Sequence, residues 1–330
     1  MISDAELATA CAWVTGEDER HVAVTDDGWS LALYRYRGSG PPVVCGHGLA
    51  GSRFIFDVHP DYSIARYLAA HGHDVWLVDL RGRGDSWPDG PRGQLQWSFD
   101  DFVFRDVPAV CARVLDVTGA SEVAWIGTEM SGQVGYAAVI SGTAPLRRVV
   151  TMGSPVVTPA HAQVPGVTTP YPERDGNRYR FSMVQAIGAR LAEQQSEVLA
   201  SSFRPDDTDW VVTARYFTHG VPDEATDLID QFADWVETAT MRSRDRSVVW
   251  SERLDEFTVP VLVAVGAADL QRPASAVRAT FDALGSADKQ LVVAGTEAGW
   301  PVDAGHDDLL CGLAAPTHLY PLLDRFLHAS

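Results

Sequence analysis

The sequence predicts an α/β fold, a mostly parallel central sheet with helices on both faces, and three observations lead there. Short continuous apolar runs rich in β-branched residues recur along the chain, as expected of strands buried on both faces. Segments with apolar residues at three- and four-residue spacings separate most of them, the mark of helices with one face on a core, and this alternation is that of a parallel sheet. The third is a single long interruption of the rhythm, from about Pro155 to Glu256.

Taken in order, Val22 to Tyr36 alternates around Asp26-Asp27-Gly28, a turn signal between two extended runs, and reads as an opening antiparallel hairpin. Strands are then expected at Pro42–Cys45, Val75–Leu80, Val123–Ile126, Val149–Met152, Val259–Val265 and Leu291–Ala294. Helices are expected over Ser63–His71, Phe102–Val117, Gly132–Ile140, Ala274–Leu284 and Leu319–His328. The interruption contains Pro165, Pro170 and Pro172, then helical stretches around Ser182–Ala200 and Thr226–Thr240. Lying between two sheet strands, it is expected to cap the strand ends, where ligands bind in open α/β sheets. The domain expectation is therefore a core of residues 1–154 and 257–330, with residues 155–256 as the cap.

The chain has 330 residues, 46% hydrophobic and 21% charged, enough to bury a large core. Its formal net charge of −18 argues against nucleic acid or an anionic membrane surface as a partner. The acidic start, Met1-Ile2-Ser3-Asp4-Ala5-Glu6, does not read as a secretory signal, and no apolar run approaches membrane-spanning length, so a cytoplasmic location is expected. Cys11, Cys45, Cys111 and Cys311 are scattered without metal spacing and read as small buried residues. No metal and no organic cofactor are expected, and the oligomeric state is not legible.

The chemistry turns on Gly127-Thr128-Glu129-Met130-Ser131 at the end of an apolar run. A strand-turn-helix of the form G-x-nucleophile-x-G strains its central residue and projects that side chain into the site. Here the projected group is a carboxylate. Three further motifs lie in register with it: Cys45-Gly46-His47-Gly48-Leu49 after an early strand, Val265-Gly266-Ala267-Ala268-Asp269 after the strand that follows the insertion, and Ala304-Gly305-His306-Asp307-Asp308 beyond the last strand. Together with Asp79-Leu80-Arg81-Gly82-Arg83-Gly84-Asp85-Ser86, a turn of the D-x-R-G-x-G-x-S type, they make the chain resemble the α/β-hydrolase family over some 270 residues. The histidine loop looks like that of its lipase and polyhydroxyalkanoate-synthase-like branch.

The resemblance implies roles by position. Glu129, Asp269 and His306 stand in the order nucleophile, acid, histidine; the backbone N–H groups of Leu49 and Met130 would form the oxyanion hole. The Asp79–Ser86 turn would be structural, with Arg81 and Asp79 able to pair locally. Substrate-pocket candidates are His47 and the aromatic Trp210, Tyr216, Phe217 and Trp235, and Tyr171, Tyr179 and Tyr216 could serve as acids. Ser131 stands where the motif has glycine and is expected to face away at the start of a helix.

A glutamate cannot follow the serine route, because its attack on an ester would leave a reactive anhydride. Three readings remain open. Glu129 can act as a base beside a cationic His306, favoured by the flanking anions Glu129 and Asp269, giving elimination, isomerisation, cyclisation or water delivery. It can act as an alkylating nucleophile, as in epoxide hydrolases, although those carry proline in His-Gly-x-Pro where this turn has Ala50, and dehalogenases place tryptophan where this chain has Met130. Or the chain can be a noncatalytic ligand-binding relative. The expected partner is in each case a small, moderately hydrophobic molecule.

Overall fold

The computed structural model describes residues 2–13, 15–89, 96–156 and 174–329. Its strands are β1 (Glu19–Val24), β2 (Trp29–Tyr36), β3 (Pro42–Gly46), β4 (Asp74–Val78), β5 (Trp87–Pro88), β6 (Val123–Thr128), β7 (Leu146–Met152), β8 (Arg174–Asp175), β9 (Arg178–Tyr179), β10 (Glu224–Ala225), β11 (Val261–Gly266) and β12 (Lys289–Ala294). A nine-stranded sheet runs β1-β2-β4-β3-β6-β7-β11-β12, with β5 on β2. The opening hairpin is antiparallel about the Asp26-Asp27-Gly28 turn, and every pair from β4 across to β12 is parallel. The loops after β3, β6, β7, β11 and β12 therefore open at one edge of the sheet.

Alternate residues of the central strands feed two cores. Val123 and Trp125 of β6, with Val261, Val263 and Val265 of β11, enter one apolar cluster, whereas Ala124, Ile126, Leu262 and Ala264 enter the other. Both faces are thus buried, which is why these strands read as continuous apolar runs; each such large aliphatic side chain contributes about 1.5–3 kcal/mol relative to exposure.

Besides the short Asp308–Cys311 and Ala315–His318, two longer helices are additions to the sequence reading. Asp4–Ala10 starts at a capping box in which Ser3 and Glu6 satisfy each other's N–H groups, and Trp210–His219 starts at an Asp209 N-cap. The helix expected over Phe102–Val117 begins earlier, at Phe99, and passes through a π-helical stretch, Phe102–Asp106, before Val107–Thr118. The expected Arg81–Asp79 pair is not formed. Arg81 instead donates to Asp106 at 2.6 and 2.8 Å and to Asp27 at 2.9 Å, while Asp79 accepts the Arg53 N–H at 3.1 Å. Ser86 Oγ donates to the Asp79 carbonyl and accepts the Ala32 N–H, which makes it a turn brace.

Among the described residues, the stretch between β7 and β11 adds no strand to the main sheet. It forms its own small sheet, in the order β10-β9-β8, and the helices Gln185–Glu193, Trp210–His219 and Thr226–Thr238. Pro165, Pro170, Tyr171 and Pro172 lie outside the described residues.

Candidate active site

The turn after β6 has the expected strain. Glu129 sits at φ 49°, ψ −114°, a conformation that costs a non-glycine residue about 1–3 kcal/mol. Two things hold it there. The Glu129 N–H donates to the Met152 carbonyl of β7 at 2.8 Å, and the helix Met130–Ser141 starts at once behind it. That helix seats closely because Gly127 has no side chain: a Cβ there would lie 2.3 Å from the Ser131 carbonyl oxygen. Ser131 is fully buried, and its Oγ is among the buried atoms without a hydrogen-bond partner, packed against Gly46 as the expected helix-start residue.

The carboxylate so projected occupies the position that the resemblance assigns to an oxyanion. Leu49 N–H and Met130 N–H both donate to Glu129 Oε2, each at 2.7 Å, within the range of charge-assisted hydrogen bonds. The other oxygen, Oε1, accepts from Arg272, a residue that the sequence reading missed. Burial opposes the charge of Glu129, but Arg272, the Leu49 N–H, His306 and the Met130 N–H hold its carboxyl below the ordinary glutamate value.

Asp269 and His306 meet as expected, with Asp269 Oδ2 and His306 Nδ1 2.7 Å apart. The second oxygen of Asp269 accepts the N–H groups of Gln271 at 2.9 Å and Arg272 at 2.7 Å, so one turn orients the acid and delivers the arginine. His306 lies close over Gly153, where a Cβ would come within 3.1 Å of its Cε1; Gly153 also has φ +60°, which favours glycine. Burial disfavours the imidazolium, but Asp269 outweighs it, and the His306 pKa is pushed up to about 9. The imidazolium is therefore favoured as expected, chiefly by Asp269. Glu129 is bonded to Arg272 rather than to His306.

The next two residues are also set by burial. Asp307 is pushed up to about 7 by burial and by Asp308, Asp269 and Glu129, against the opposing charge of His306. Asp308 fastens the loop: its oxygens accept from Thr208 Oγ1, from the Arg204 N–H at 2.9 Å and from the Gly305 N–H at 3.2 Å. With Asp307 N–H donating to the Ser202 carbonyl at 2.9 Å, the stretch Ser202–Thr208 is tied to the histidine loop.

The pocket candidates divide. Tyr216 stacks edge-on with Phe203 and Phe217; its phenol is held well above the ordinary value by burial and by Asp307, Cys311 and Glu129, which places it within electrostatic range of the elbow. Trp210 lines a small void of about 20 Å³ with Phe203 and Leu199. His47 is a correction: its Nε2 accepts the Leu80 N–H at 3.1 Å, which fixes the proton on Nδ1 for the Gly48 carbonyl at 2.9 Å. Burial, then Arg83, holds its pKa down to about 3, so it is a neutral brace of the turn. Trp235 is a second correction, packed among Phe99, Phe232 and Trp250 with its Nε1–H on the Arg242 carbonyl at 2.8 Å. Tyr179 lies in β9, paired in register with Glu224.

A cleft of about 1050 Å³, lined by Tyr34, Arg53, Asp85, Trp87, Arg178 and His219 among others, includes none of Glu129, Asp269 or His306. All four cysteines are free and buried. One group with metal-ligand chemistry, His73, Asp324 and His328, has its ligand atoms within 4.8 Å of one another. Those atoms are already engaged: Asp324 is hydrogen-bonded to His73 Nε2 at 2.9 Å, His328 Nε2 pairs with the His71 carbonyl at 3.3 Å, and His73 Nδ1 lacks the acceptor that ordinarily orients a ligand histidine.

A family model described as the alpha/beta hydrolase fold matches residues 41–269, more than half of the chain. The chain belongs to the α/β-hydrolase fold family. Its curated relatives include Lipase 1 of Drosophila melanogaster, 36% identical over 118 residues that cover 34% of this chain and 27% of the relative. They also include the gastric triacylglycerol lipase of Homo sapiens, 28% identical over 182 residues, 50% of this chain and 43% of the relative. The matched stretch thus spans less than half the length of these curated relatives. Among solved structures, a hydrolase from Pseudomonas aeruginosa PA01 is 18% identical with TM-score 0.59, covering 95% of this chain and 100% of that one. An esterase from Thermogutta terrifontis is 17% identical with TM-score 0.56, covering 94% and 98%. At these identities the structures carry the fold alone. No helix of the described residues is long and apolar enough to cross a membrane.

Proposed function

We propose that this hydrolase-fold chain is an enzyme of small, moderately hydrophobic molecules that works by acid–base chemistry, with Glu129 as proton acceptor and His306 as proton donor. The observation that carries this reading is the Glu129 carboxylate held by the Leu49 and Met130 N–H groups, opposite a histidine kept cationic by Asp269. A hole already holding an anion offers no place for the oxyanion of an acyl-serine pathway, so the lipase and esterase activities named for the relatives do not transfer through that mechanism. Arg272 is the adjustable partner, with its side chain 29% exposed against 8% for Glu129. When a substrate displaces it from Oε1, Glu129 loses its nearest cation and becomes a stronger base.

In the elimination form of this chemistry, a C–H proton passes to Glu129 Oε1, a carbon–carbon double bond forms, and the departing group takes the Nε2 proton of His306. Proton return from Glu129 to His306 through solvent resets the site. The stretch between β7 and β11 serves as the cap, with Tyr216 in the lining over the elbow.

A second reading has its own support: the Arg272–Glu129 pair occupies the centre of the site, as suits a ligand-binding protein without turnover. The alkyl-ester mechanism would use the same release of Oε1 from Arg272 and is the least favoured because the proline of His-Gly-x-Pro and the tryptophan after the nucleophile are replaced by Ala50 and Met130. The test is a panel of epoxides, lactones and carbonyl compounds bearing a β leaving group, followed by mass spectrometry with the wild type, Glu129→Gln and His306→Ala. The enzyme reading expects turnover of at least one compound, with kcat lower by about 10²–10⁴ in each variant. Turnover unaffected by Glu129→Gln refutes it, binding without turnover selects the second reading, and a stable adduct on Glu129 in His306→Ala selects the alkyl ester.

A further inference from the structure

The turn that supplies one oxyanion donor is itself strained. Gly51 N–H donates to the Gly48 carbonyl at 3.2 Å, which closes a four-residue turn with Leu49 and Ala50 at its centre. Ala50 has φ +48°, and Leu49 is not among the residues of positive φ. That sign pattern is the one of a type II turn, which ordinarily places glycine at its third position. With alanine there, the central peptide would otherwise relax by flipping over to the type I arrangement.

A buried glutamate opposes the flip. Glu224, in β10 of the insertion and fully buried, accepts the Ala50 N–H on Oε1 at 2.7 Å. The same oxygen accepts from Arg83, which is also fully buried and whose Nη1 donates to the Arg81 carbonyl at 2.6 Å. In the flipped turn the Leu49 carbonyl oxygen would face this carboxylate, acceptor against acceptor. The charge therefore favours one peptide orientation by attraction and disfavours the other by repulsion. Leu49 carries both peptides of interest on its own Cα: the one whose N–H reaches Glu129 and the one whose N–H, from Ala50, reaches Glu224.

We propose that Glu224 is a positioning residue for the oxyanion hole, locking from the insertion the type II turn that carries the Leu49 N–H donor. The functional meaning rests on the reading of that donor as part of the working site, but the geometry does not. Because β10 is paired to β9, and Thr226 N–H donates to the Asn177 carbonyl at 3.0 Å, a rearrangement of this small sheet would reach the oxyanion turn through the Glu224 side chain.

The test is amide hydrogen exchange on the full chain, read by NMR. Removing Glu224 alone would strand the Arg83 charge, so the main variant replaces both partners, Arg83→Met with Glu224→Leu, keeping the volume apolar. Exchange at Leu49 and Ala50 is expected to speed up about ten- to a hundredfold, the factor carried by a lost hydrogen bond to a charged group, while exchange in β6 and β11 stays unchanged. Adding Ala50→Gly, which accepts positive φ without help, is expected to restore much of the Leu49 protection; a general loosening of the fold would not respond to it. If the double variant does not fold, Glu224→Gln takes its place, with faster exchange at Ala50 and Leu49 expected from the neutral acceptor. Unchanged exchange in a folded variant, or faster exchange that Ala50→Gly leaves uncorrected, overturns the proposal. No turnover is involved, so an inactive site leaves this result intact, and a negative result leaves the acid–base reading standing.

Discussion

Two consecutive N–H groups of one turn each donate to a buried glutamate, and each glutamate is paired to an arginine. Leu49 serves Glu129 with Arg272, and Ala50 serves Glu224 with Arg83. The first pair is partly open, with Arg272 29% exposed, whereas both partners of the second are wholly sealed. The carboxyl of Glu129 is held below its ordinary value despite burial, by four favourable partners. That of Glu224 is raised by burial, which Arg83 and the Ala50 N–H do not fully offset, and its Oε2 and the Arg83 Nε are among the buried atoms without a partner. The contrast sets a partly exposed pair, which the proposed mechanism has a ligand exchange, beside a sealed one that can only be kept or lost.

The largest expected effect breaks the sealed pair. Glu224→Ala should cost about 3–5 kcal/mol in urea unfolding, the price of a stranded buried charge, and Arg83→Met with Glu224→Leu should recover most of it. Glu129→Gln, by comparison, should cost no more than about 1–2 kcal/mol, because Arg272 can turn to solvent. Equal losses at both sites would erase the distinction drawn between them.

A gain of chemistry sharpens the comparison next. Glu129→Ser empties the hole while leaving the Leu49 and Met130 donors and the His306–Asp269 pair, so the variant should acquire covalent labelling by a fluorophosphonate that the wild type lacks. Labelling should accelerate with rising pH as His306 becomes the neutral base. A folded Glu129→Ser protein that resists the reagent across that range would mean that the donors are not aimed as described.

A smaller effect concerns pH and stability. The His306 pKa lies at about 9 in the folded protein, above its ordinary value of 6.5. Its contribution is therefore fully present below about pH 6.5 and lost as pH rises through about 9. Thermal unfolding of the wild type should show that loss, and Asp269→Asn, which removes the cause of the raised pKa, should flatten it. The smallest effect is expected from Ala50→Gly alone, where relief of the positive φ and the greater freedom of the unfolded chain offset each other to within about 0.5 kcal/mol.

The same contrast explains what could be read from the sequence. The α/β-hydrolase core was legible because its strands are continuous apolar runs, and because Leu49, Glu129, Asp269 and His306 each follow a strand within a short motif. The Trp210–His219 helix was missed although Asp209 is a good N-cap, because its first turn is the β-branched run Val211-Val212-Thr213, which favours extended structure. Arg272, Arg83 and Glu224 were illegible for a different reason. Their partners stand 143, 141 and 174 residues away, and no local pattern marks an arginine whose role is assigned by the folded sheet. His47 and Trp235 erred the other way, since a polar or aromatic residue near a site is as readily spent on bracing a turn or packing a helix.

The central claim is that Glu129 is an ionised carboxylate bound by the Leu49 and Met130 N–H groups and tuned by Arg272. A carbon-detected NMR titration of the Glu129 carboxyl, with the Leu49 and Met130 amide protons followed in the same samples, tests it most directly. The account predicts a carboxyl that stays ionised below the ordinary glutamate value, two amide protons that shift together with it, and a rise of its pKa in Arg272→Gln. An ordinary or raised Glu129 pKa, with Leu49 and Met130 amides indifferent to its titration, would contradict it.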